Sequence, residues 1–135
     1  MGRKSEGQPQ VAEEKARKYL TLETINVTSA NKHKFTMLKR KAHVQFAQEI
    51  RLNEGQVSSM KGEAAKVGKT MDAGPKDPEQ LKTSVGVATI AMKDLRMYHV
   101  TRPIDDYKDA IATGRCRITC MDIDGCTLTV ANLYG

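Results

Sequence analysis

Short apolar runs separated by charged segments make up most of the chain after residue 18, and the spacing within each run predicts the element that it forms. Runs that alternate between apolar and polar positions, or that stay apolar for a few residues, are typical of β-strands. Apolar positions that recur three, four and seven residues apart are typical of helices packed on one side. The predicted strands lie near residues 20–27, 44–49, 85–91, 115–122 and 126–134, and the predicted helices lie near residues 30–41 and 54–68.

The first predicted helix follows a candidate N-cap at Thr28 or Ser29. Its apolar positions Phe35, Leu38 and Ala42 share one helical face, and basic residues occupy most of the remainder. A basic face of this kind can contact a phosphate backbone, although it is more often a solvated surface. The sequence leaves both interpretations open.

The second predicted helix begins after Asn53, a good N-cap residue, and Gln56 three positions later suits a capping box. Its apolar positions form one stripe, which we expect to face a sheet rather than to bind a cofactor. The members of the stripe are Val57, Met60, Ala64 and Val67.

The last two predicted strands flank Asp124-Gly125, a pair that is typical of a type I′ hairpin turn. In the first of these strands, alternation places Cys116, Ile118 and Cys120 on one face. The residues that share one parity on the second strand are Leu128, Val130, Asn132 and Tyr134.

Three segments lack a regular pattern. Residues 1–18 are polar and almost free of apolar side chains, which predicts a disordered arm ahead of a domain over residues 19–135. Residues 70–82 contain glycine, prolines and charges, so they are expected to break the structure. Residues 93–112 are expected to form an irregular crossing segment with a turn of helix near residues 105–111.

Composition indicates one domain that is not a membrane protein. The 135 residues suffice for one modest core, and no apolar run approaches the ~20 residues that a membrane-spanning helix needs. The net charge of +6 favours a polyanionic partner such as nucleic acid. With no secretory signal pattern at its start, the chain is expected to be intracellular, either nuclear or cytoplasmic.

Cys116, Cys120 and Cys126 crowd into eleven residues. Their odd number predicts reduced thiols in strands. The spacing has no C-x-x-C pair and no nearby histidine, so zinc is not expected. The adjacent carboxylates Asp105 and Asp106 could bind a metal, but such a pair is more typical of exposed charge.

Two polar residues end neighbouring predicted strands, and each has two interpretations. Glu49 closes the apolar run that begins at Ala42, and ligands of open α/β sheets bind at the carboxyl ends of strands. It could therefore be a site carboxylate or only a solvated strand end. Asn26 could contribute its side-chain amide to the same site, or it could simply terminate the first strand.

The order of these motifs resembles the endonuclease/exonuclease/phosphatase superfamily, which includes AP endonucleases, deoxyribonuclease I and endonuclease domains of LINE-type retrotransposons. This chain departs from the pattern at Val85, where a first glycine is common. The matching residues, in order, are Asn26, Gln48-Glu49, Gly86-Val87, Gly114-Arg115 and Asn132-x-Tyr134.

The resemblance implies the amino-terminal half of a four-layered α/β sandwich of the AP endonuclease and deoxyribonuclease I type. It implies that Glu49 binds the catalytic Mg²⁺, or Mn²⁺ in its place, that the side-chain amide of Asn26 helps orient the phosphate or a metal-bound water, and that Tyr134 reaches toward the scissile phosphate. Tyr134 could equally be an aromatic residue that fills the edge of the core. The implied substrate is nucleic acid, with DNA favoured over RNA.

The superfamily supplies its remaining catalytic parts, an Asp-x-Asn motif and a closing Asp-His segment, from a second half that follows these motifs. The hypothesis from sequence is therefore an incomplete Mg²⁺-dependent endonuclease domain, retrotransposon-like, with little activity alone. The alternative hypothesis is a basic α/β module that binds nucleic acid or a protein partner without catalysis.

Overall fold

The structure is a computed structural model that describes residues 19–74, 85–99, 112 and 116–133. All of the predicted strands and both predicted helices are present, with two additional strands. The strands are β1 (Leu22–Asn26), β2 (Val44–Leu52), β3 (Lys69–Ala73), β4 (Val85–Met92), β5 (Arg96–His99), β6 (Cys116–Ile123) and β7 (Cys126–Leu133), and the helices are α1 (Ala30–Leu38) and α2 (Glu54–Lys66).

The strands form two sheets. Sheet A has the order β1-β2-β4-β3, in which β1 runs parallel to β2 and the other pairs are antiparallel. Sheet B has the order β5-β6-β7 and is antiparallel throughout. The turn between β6 and β7 has positive φ at both Asp124 (47°) and Gly125 (83°), as the Asp-Gly signal predicted.

Sheet A lies between the helices and sheet B, so the described part of the chain has three layers. On the helix side, Ala47, Ile90 and Met71 pack against buried residues of α1 and α2. On the opposite side, Val44 and Ala91 of sheet A pack against Met121 of sheet B. The fold is thus a mixed α/β sandwich, as expected.

The capping box of α2 is confirmed. The Asn53 side chain accepts a hydrogen bond from the Gln56 backbone N–H at 2.8 Å, and Gln56 Oε1 accepts one from the Asn53 N–H at 3.0 Å. Val57, Met60 and Ala64 are buried as predicted, whereas Val67 is 53% exposed because it lies at the C-cap, beyond the last helical turn.

The predicted apolar face of α1 was wrong at Phe35, whereas Leu38 is buried as predicted. Phe35 is 59% exposed beneath the Lys34 ammonium, and the helix ends at Leu38. Its buried residues are Ala30, Met37 and Leu38, so the face toward the sheet is turned away from Phe35. Since the helix has only nine residues, two turns carry too few apolar positions for the spacing to fix the face.

The predicted break at residues 70–82 was wrong for its first part, because residues 69–73 form β3. Met71 is buried and pairs with Ile90 of β4. Asp72 lies between the sheets, where its carboxylate accepts two hydrogen bonds from Arg117 at 2.9 Å each. A charged residue inside this strand is stable only because of that partner on β6, which a local pattern cannot reveal.

The irregular segment predicted for residues 93–112 was also wrong in part, since residues 96–99 form β5 along β6. The turn of helix near residues 105–111, the pair Asp105-Asp106 and the motif Gly114-Arg115 lie outside the described residues. So does the predicted disordered arm, residues 1–18. Within the described part of the chain, no helix is long and apolar enough to cross a membrane.

Candidate active site at the carboxyl ends of β1 and β2

Asn26 and Glu49 lie close together along sheet A, at the level where β1 ends. Because β1 and β2 are parallel, their carboxyl ends point the same way, and Asn26 is the register partner of Gln48, the residue before Glu49. The Val27 N–H extends the pairing by donating to Gln48 O at 3.1 Å. Asn26 is the last residue of β1, whereas β2 continues past Glu49 to Leu52, so Glu49 lies beside the end of β1 but does not end its own strand.

The backbone of β2 is irregular immediately after Gln48. From Gln48 to Leu52 the chain advances four residues, whereas the facing segment of β4 advances only two, from Val87 to Val85. The extra length is taken up in a bulge, in which Glu49 (φ 54°) has a left-handed conformation. The bulge aims the Glu49 side chain differently from a regular strand position.

Backbone strain is concentrated at this edge. Thr28, Glu49 and Arg51 all have positive φ, and among the described non-glycine residues the only other is Asp124 in the hairpin turn. A left-handed residue with a Cβ costs roughly 1–2 kcal/mol. Such strain persists where surrounding contacts hold it, and it is enriched at functional sites.

The Glu49 carboxylate is partly accessible. Its side chain is 30% exposed, and Oε2 lies 3.5 Å from the guanidinium of Arg51, which is itself 54% exposed. An ion pair that is this open to water is weak, so the carboxylate is free to exchange its partner for another cation. No cluster of three or more His, Cys, Asp or Glu side chains suited to a metal occurs among the described residues.

Asn26 is exposed and lines a cavity of about 220 Å³ between β1 and α1. His33 and Arg40 contribute polar groups to the same cavity, and Glu49 does not line it. The Asn26 Oδ1 accepts from the Thr28 hydroxyl at 3.4 Å, which ties the strand end to the left-handed residue that follows.

Asn132 is a buried residue of this region that the sequence analysis did not assign to the site. Its side chain is 2% exposed and lies between the sheets, where Nδ2 donates to the backbone O of Ala47 (3.2 Å) and of Ala88 (2.9 Å). Its Oδ1 accepts from Gln48 Nε2 at 2.8 Å. The available signal was an amide residue that shares its parity with Leu128 and Val130 on β7, since a buried amide requires partners.

A second polar cluster lies on the helix side of β1. Glu23 accepts from Arg40 Nε at 2.6 Å and from Gln45 Nε2 at 2.8 Å, and the bond from Arg40 is the main reason that the pKa of Glu23 is lowered. Lys69 Nζ donates to the carbonyl oxygens of Leu38 and Arg40, and burial lowers its pKa. These contacts fix the end of α1 beside the cavity that Asn26 lines.

Tyr134 lies outside the described residues, so its role and its convergence with Asn26 and Glu49 stay predictions. The thiols of Cys116, Cys120 and Cys126 are free, and burial raises the pKa of the Cys116 thiol.

The described residues form a mixed α/β arrangement that is similar to AP endonuclease-type folds. Two solved structures are similar to the chain: the AP endonuclease LMAP from Leishmania major, with a TM-score of 0.55, and the 3'-5' exonuclease NExo from Neisseria meningitidis, with a TM-score of 0.52. Each is 18% identical in sequence to this chain, and each match covers 85% of this chain. The resemblance predicted from sequence is thus confirmed at the level of the fold.

The chain spans about 40% of the length of each of these two structures. No protein-family model matches the sequence, and no curated protein sequence matches it.

Proposed function

We propose that the chain contributes to a nuclease-type hydrolase that cleaves phosphodiester bonds of nucleic acid, with DNA as the preferred substrate and Glu49 as a ligand of Mg²⁺. The observation that supports this proposal is that Asn26, the last residue of β1, pairs with Gln48, the residue before Glu49 on the adjacent parallel strand. The two similar solved structures, an AP endonuclease and an exonuclease, support the same class of chemistry.

The donor atoms at this edge suit a hard cation. Mg²⁺ prefers oxygen ligands, is often held by one or two carboxylates, and keeps several of its waters. Glu49 offers a partly exposed carboxylate, and Asn26 offers an amide oxygen on the adjacent strand end. When bound, Mg²⁺ supplies charge neutralisation at the phosphate. One carboxylate holds the ion weakly, so we expect further ligands from residues beyond those described.

The remaining residues of the site would position the substrate. The Asn26 side-chain amide can donate to a phosphate oxygen while its own Oδ1 is held by Thr28. In this proposal the Tyr134 hydroxyl donates to the scissile phosphate from the end of β7. Fixed donors of this kind act by holding the phosphate in line and by stabilising developing charge.

A metal-binding experiment on the full chain tests the role of Glu49. Mn²⁺ should broaden the amide resonances of residues 48–51 in a ¹⁵N-labelled sample before it broadens others, and Glu49→Gln should remove this selective effect. The matched control is Glu63→Gln, because Glu63 is similarly exposed (32%) and similarly paired, at 3.7 Å from Lys66. Uniform broadening that is unchanged by Glu49→Gln would contradict the assignment.

A nuclease assay tests the activity. The chain alone should nick supercoiled plasmid DNA slowly or not at all, whereas a fusion to the carboxyl-terminal half of an AP endonuclease-type domain should nick it in the presence of Mg²⁺. Glu49→Gln should abolish this gain, and Glu63→Gln should preserve it. A fusion that nicks DNA equally well with Gln at position 49 would rule out Glu49 as the metal ligand.

The alternative, a module that binds nucleic acid without catalysis, is favoured by the basic residues at the end of α1. Lys39, Arg40 and Lys41 are exposed and line a cavity of about 520 Å³ together with Glu23. Such a surface can contact a phosphate backbone without sequence preference. Salt-sensitive DNA binding that requires these residues, is independent of Mg²⁺ and persists in Glu49→Gln, without nicking by the fusion, would support this function instead.

A further inference from the structure

The side chain of Asn132 is fully used in contacts to the end of β2. Its Nδ2 donates to Ala47 O and to Ala88 O, and these two residues are register partners on β2 and β4. Its Oδ1 accepts from Gln48 Nε2. A single buried amide from sheet B therefore contacts β2 and β4, the two central strands of sheet A, close to the last register pair before the bulge.

The contacts continue through Gln48 toward the edge of sheet A. Gln48 Nε2 also donates to Phe46 O at 3.1 Å, and Gln48 Oε1 accepts from the Thr24 hydroxyl on β1 at 3.2 Å. A polar chain thus runs from Asn132 on β7 through Gln48 on β2 to Thr24 on β1. On β2 these bonds involve Phe46, Ala47 and Gln48, the three residues that precede Glu49.

We infer that Asn132 is a positioning residue, which holds β2 at Ala47 and Gln48 so that the backbone turns into the left-handed conformation at Glu49 and directs its carboxylate to the sheet edge. The inference deepens the proposed function and rests on it only for the use of Glu49 as a ligand. The placement of Glu49 by Asn132 stands on the hydrogen bonds themselves.

The energetics favour this role over a simple link between the sheets. A left-handed Glu49 and Arg51 are unfavourable by themselves, so adjacent contacts must hold the bulge in place. Packing of Met121 against Val44 already joins the two sheets. Asn132 adds directional bonds to the β2 and β4 backbones at the point where their register breaks, which apolar packing does not provide.

NMR on the full chain tests the inference without relying on a metal. The three-bond coupling between the amide and α protons reports φ, and in the wild type Glu49 should show a smaller coupling than its extended neighbours. Asn132→Leu replaces the amide by an apolar side chain of similar shape and removes its hydrogen bonds to Ala47, Ala88 and Gln48. The Glu49 coupling should then rise to the value of an extended strand. Gln48→Met removes the bond from the β2 side, and it decides the question if Asn132→Leu does not fold.

Met121→Ala is the control, because it loosens the packing between the sheets without touching the end of β2. It should lower stability while leaving the Glu49 coupling as in the wild type. The inference is overturned by an extended coupling at Glu49 in the wild type, by an unchanged coupling in the variants at positions 132 and 48, or by an equal change in Met121→Ala. Selective Mn²⁺ broadening around Glu49 in the wild type is read separately, and its absence would count against the proposed function alone.

Discussion

Asp72 and Arg117 show how strongly a single contact decides whether a charged residue belongs to a strand. Their side chains are only 20% and 18% exposed, and the guanidinium holds both carboxylate oxygens at 2.9 Å, a geometry that is specific to arginine. Thr119 donates a third bond to Asp72 at 3.2 Å. The pair joins β3 to β6 and therefore sheet A to sheet B.

Arg117→Met should lower the free energy of unfolding by about 2 kcal/mol, because it leaves the Asp72 carboxylate without its charged donors in a mostly buried position. Urea unfolding measures the loss. Arg96→Met is the matched control, since Arg96 is 80% exposed and 3.9 Å from Asp122, and it should change stability by no more than about 0.5 kcal/mol. Equal losses in the two variants would show that burial does not strengthen the Asp72 contact.

Glu23 should give stability a pH dependence at acid pH. Its pKa in the folded protein is lowered from 4.5, first by the Arg40 bond, so its ionised form stabilises the fold above about pH 4.5. This stabilisation is lost as the pH falls through the lowered folded pKa. Glu23→Gln should therefore be less stable than the wild type at neutral pH, and the difference should shrink in urea titrations at successively lower pH. A difference that stays constant would mean that Glu23 is not held in its ionised form.

Asn132 marks the limit of what single residues reveal in the sequence. The pattern placed it at the same parity as Leu128 and Val130 on the last strand without assigning a buried face, and a buried amide must find partners. Its partners lie 44 to 85 positions away along the chain, at Ala88, Gln48 and Ala47. Local periodicity carries no information on contacts at that separation, so the role of Asn132 became visible only in the structure.

Elements that are long, or that have clear capping or turn residues at their ends, were predicted well from sequence. The 13-residue helix α2 has a capping box and a repeated apolar spacing, and both signals agree with the structure. The strands β3 and β5 were missed because they have five and four residues and contain several polar side chains. They are stabilised by pairing with β4 and β6 rather than by their own composition.

Met60→Asp tests the packing of α2. Met60 is 1% exposed against sheet A, so the substitution buries an unpaired carboxylate and should lower the free energy of unfolding by several kcal/mol, on the order of 3–5. Val67→Asp is the control within the same apolar stripe, since Val67 is 53% exposed and its carboxylate would remain in water. Thermal melting compares the two. A Met60→Asp curve that matches the wild type would contradict the assigned face of the helix.

At the scale of the whole molecule, the described part of each sheet ends in strands with an unpaired outer edge, and β1 and β7 are those strands on one side of the sandwich. Each of these edge strands has an exposed apolar residue on the face toward the other sheet. These residues are Leu22 of β1 (45% exposed) and Leu128 of β7 (37% exposed). The outer edge of β1 has no paired strand among the described residues. An unpaired strand edge with exposed apolar residues is a typical surface for contact with a further strand or segment.

The unpaired edge of β1 predicts a gradient of local stability that hydrogen exchange can measure. Strand β4 is paired on both sides and all but one of its residues are buried, so its amides should exchange last. Strand β1 is a five-residue edge with alternating exposure, and its amides should exchange much earlier. Fusion to the carboxyl-terminal half of an AP endonuclease-type domain should slow exchange in β1 and leave β4 unchanged, because β1 has an unpaired edge that a further strand can cover, whereas β4 is already paired on both sides. Equal protection of β1 and β4 in the chain alone would mean that β1 is already covered, and the expected effect of the fusion would have to be abandoned.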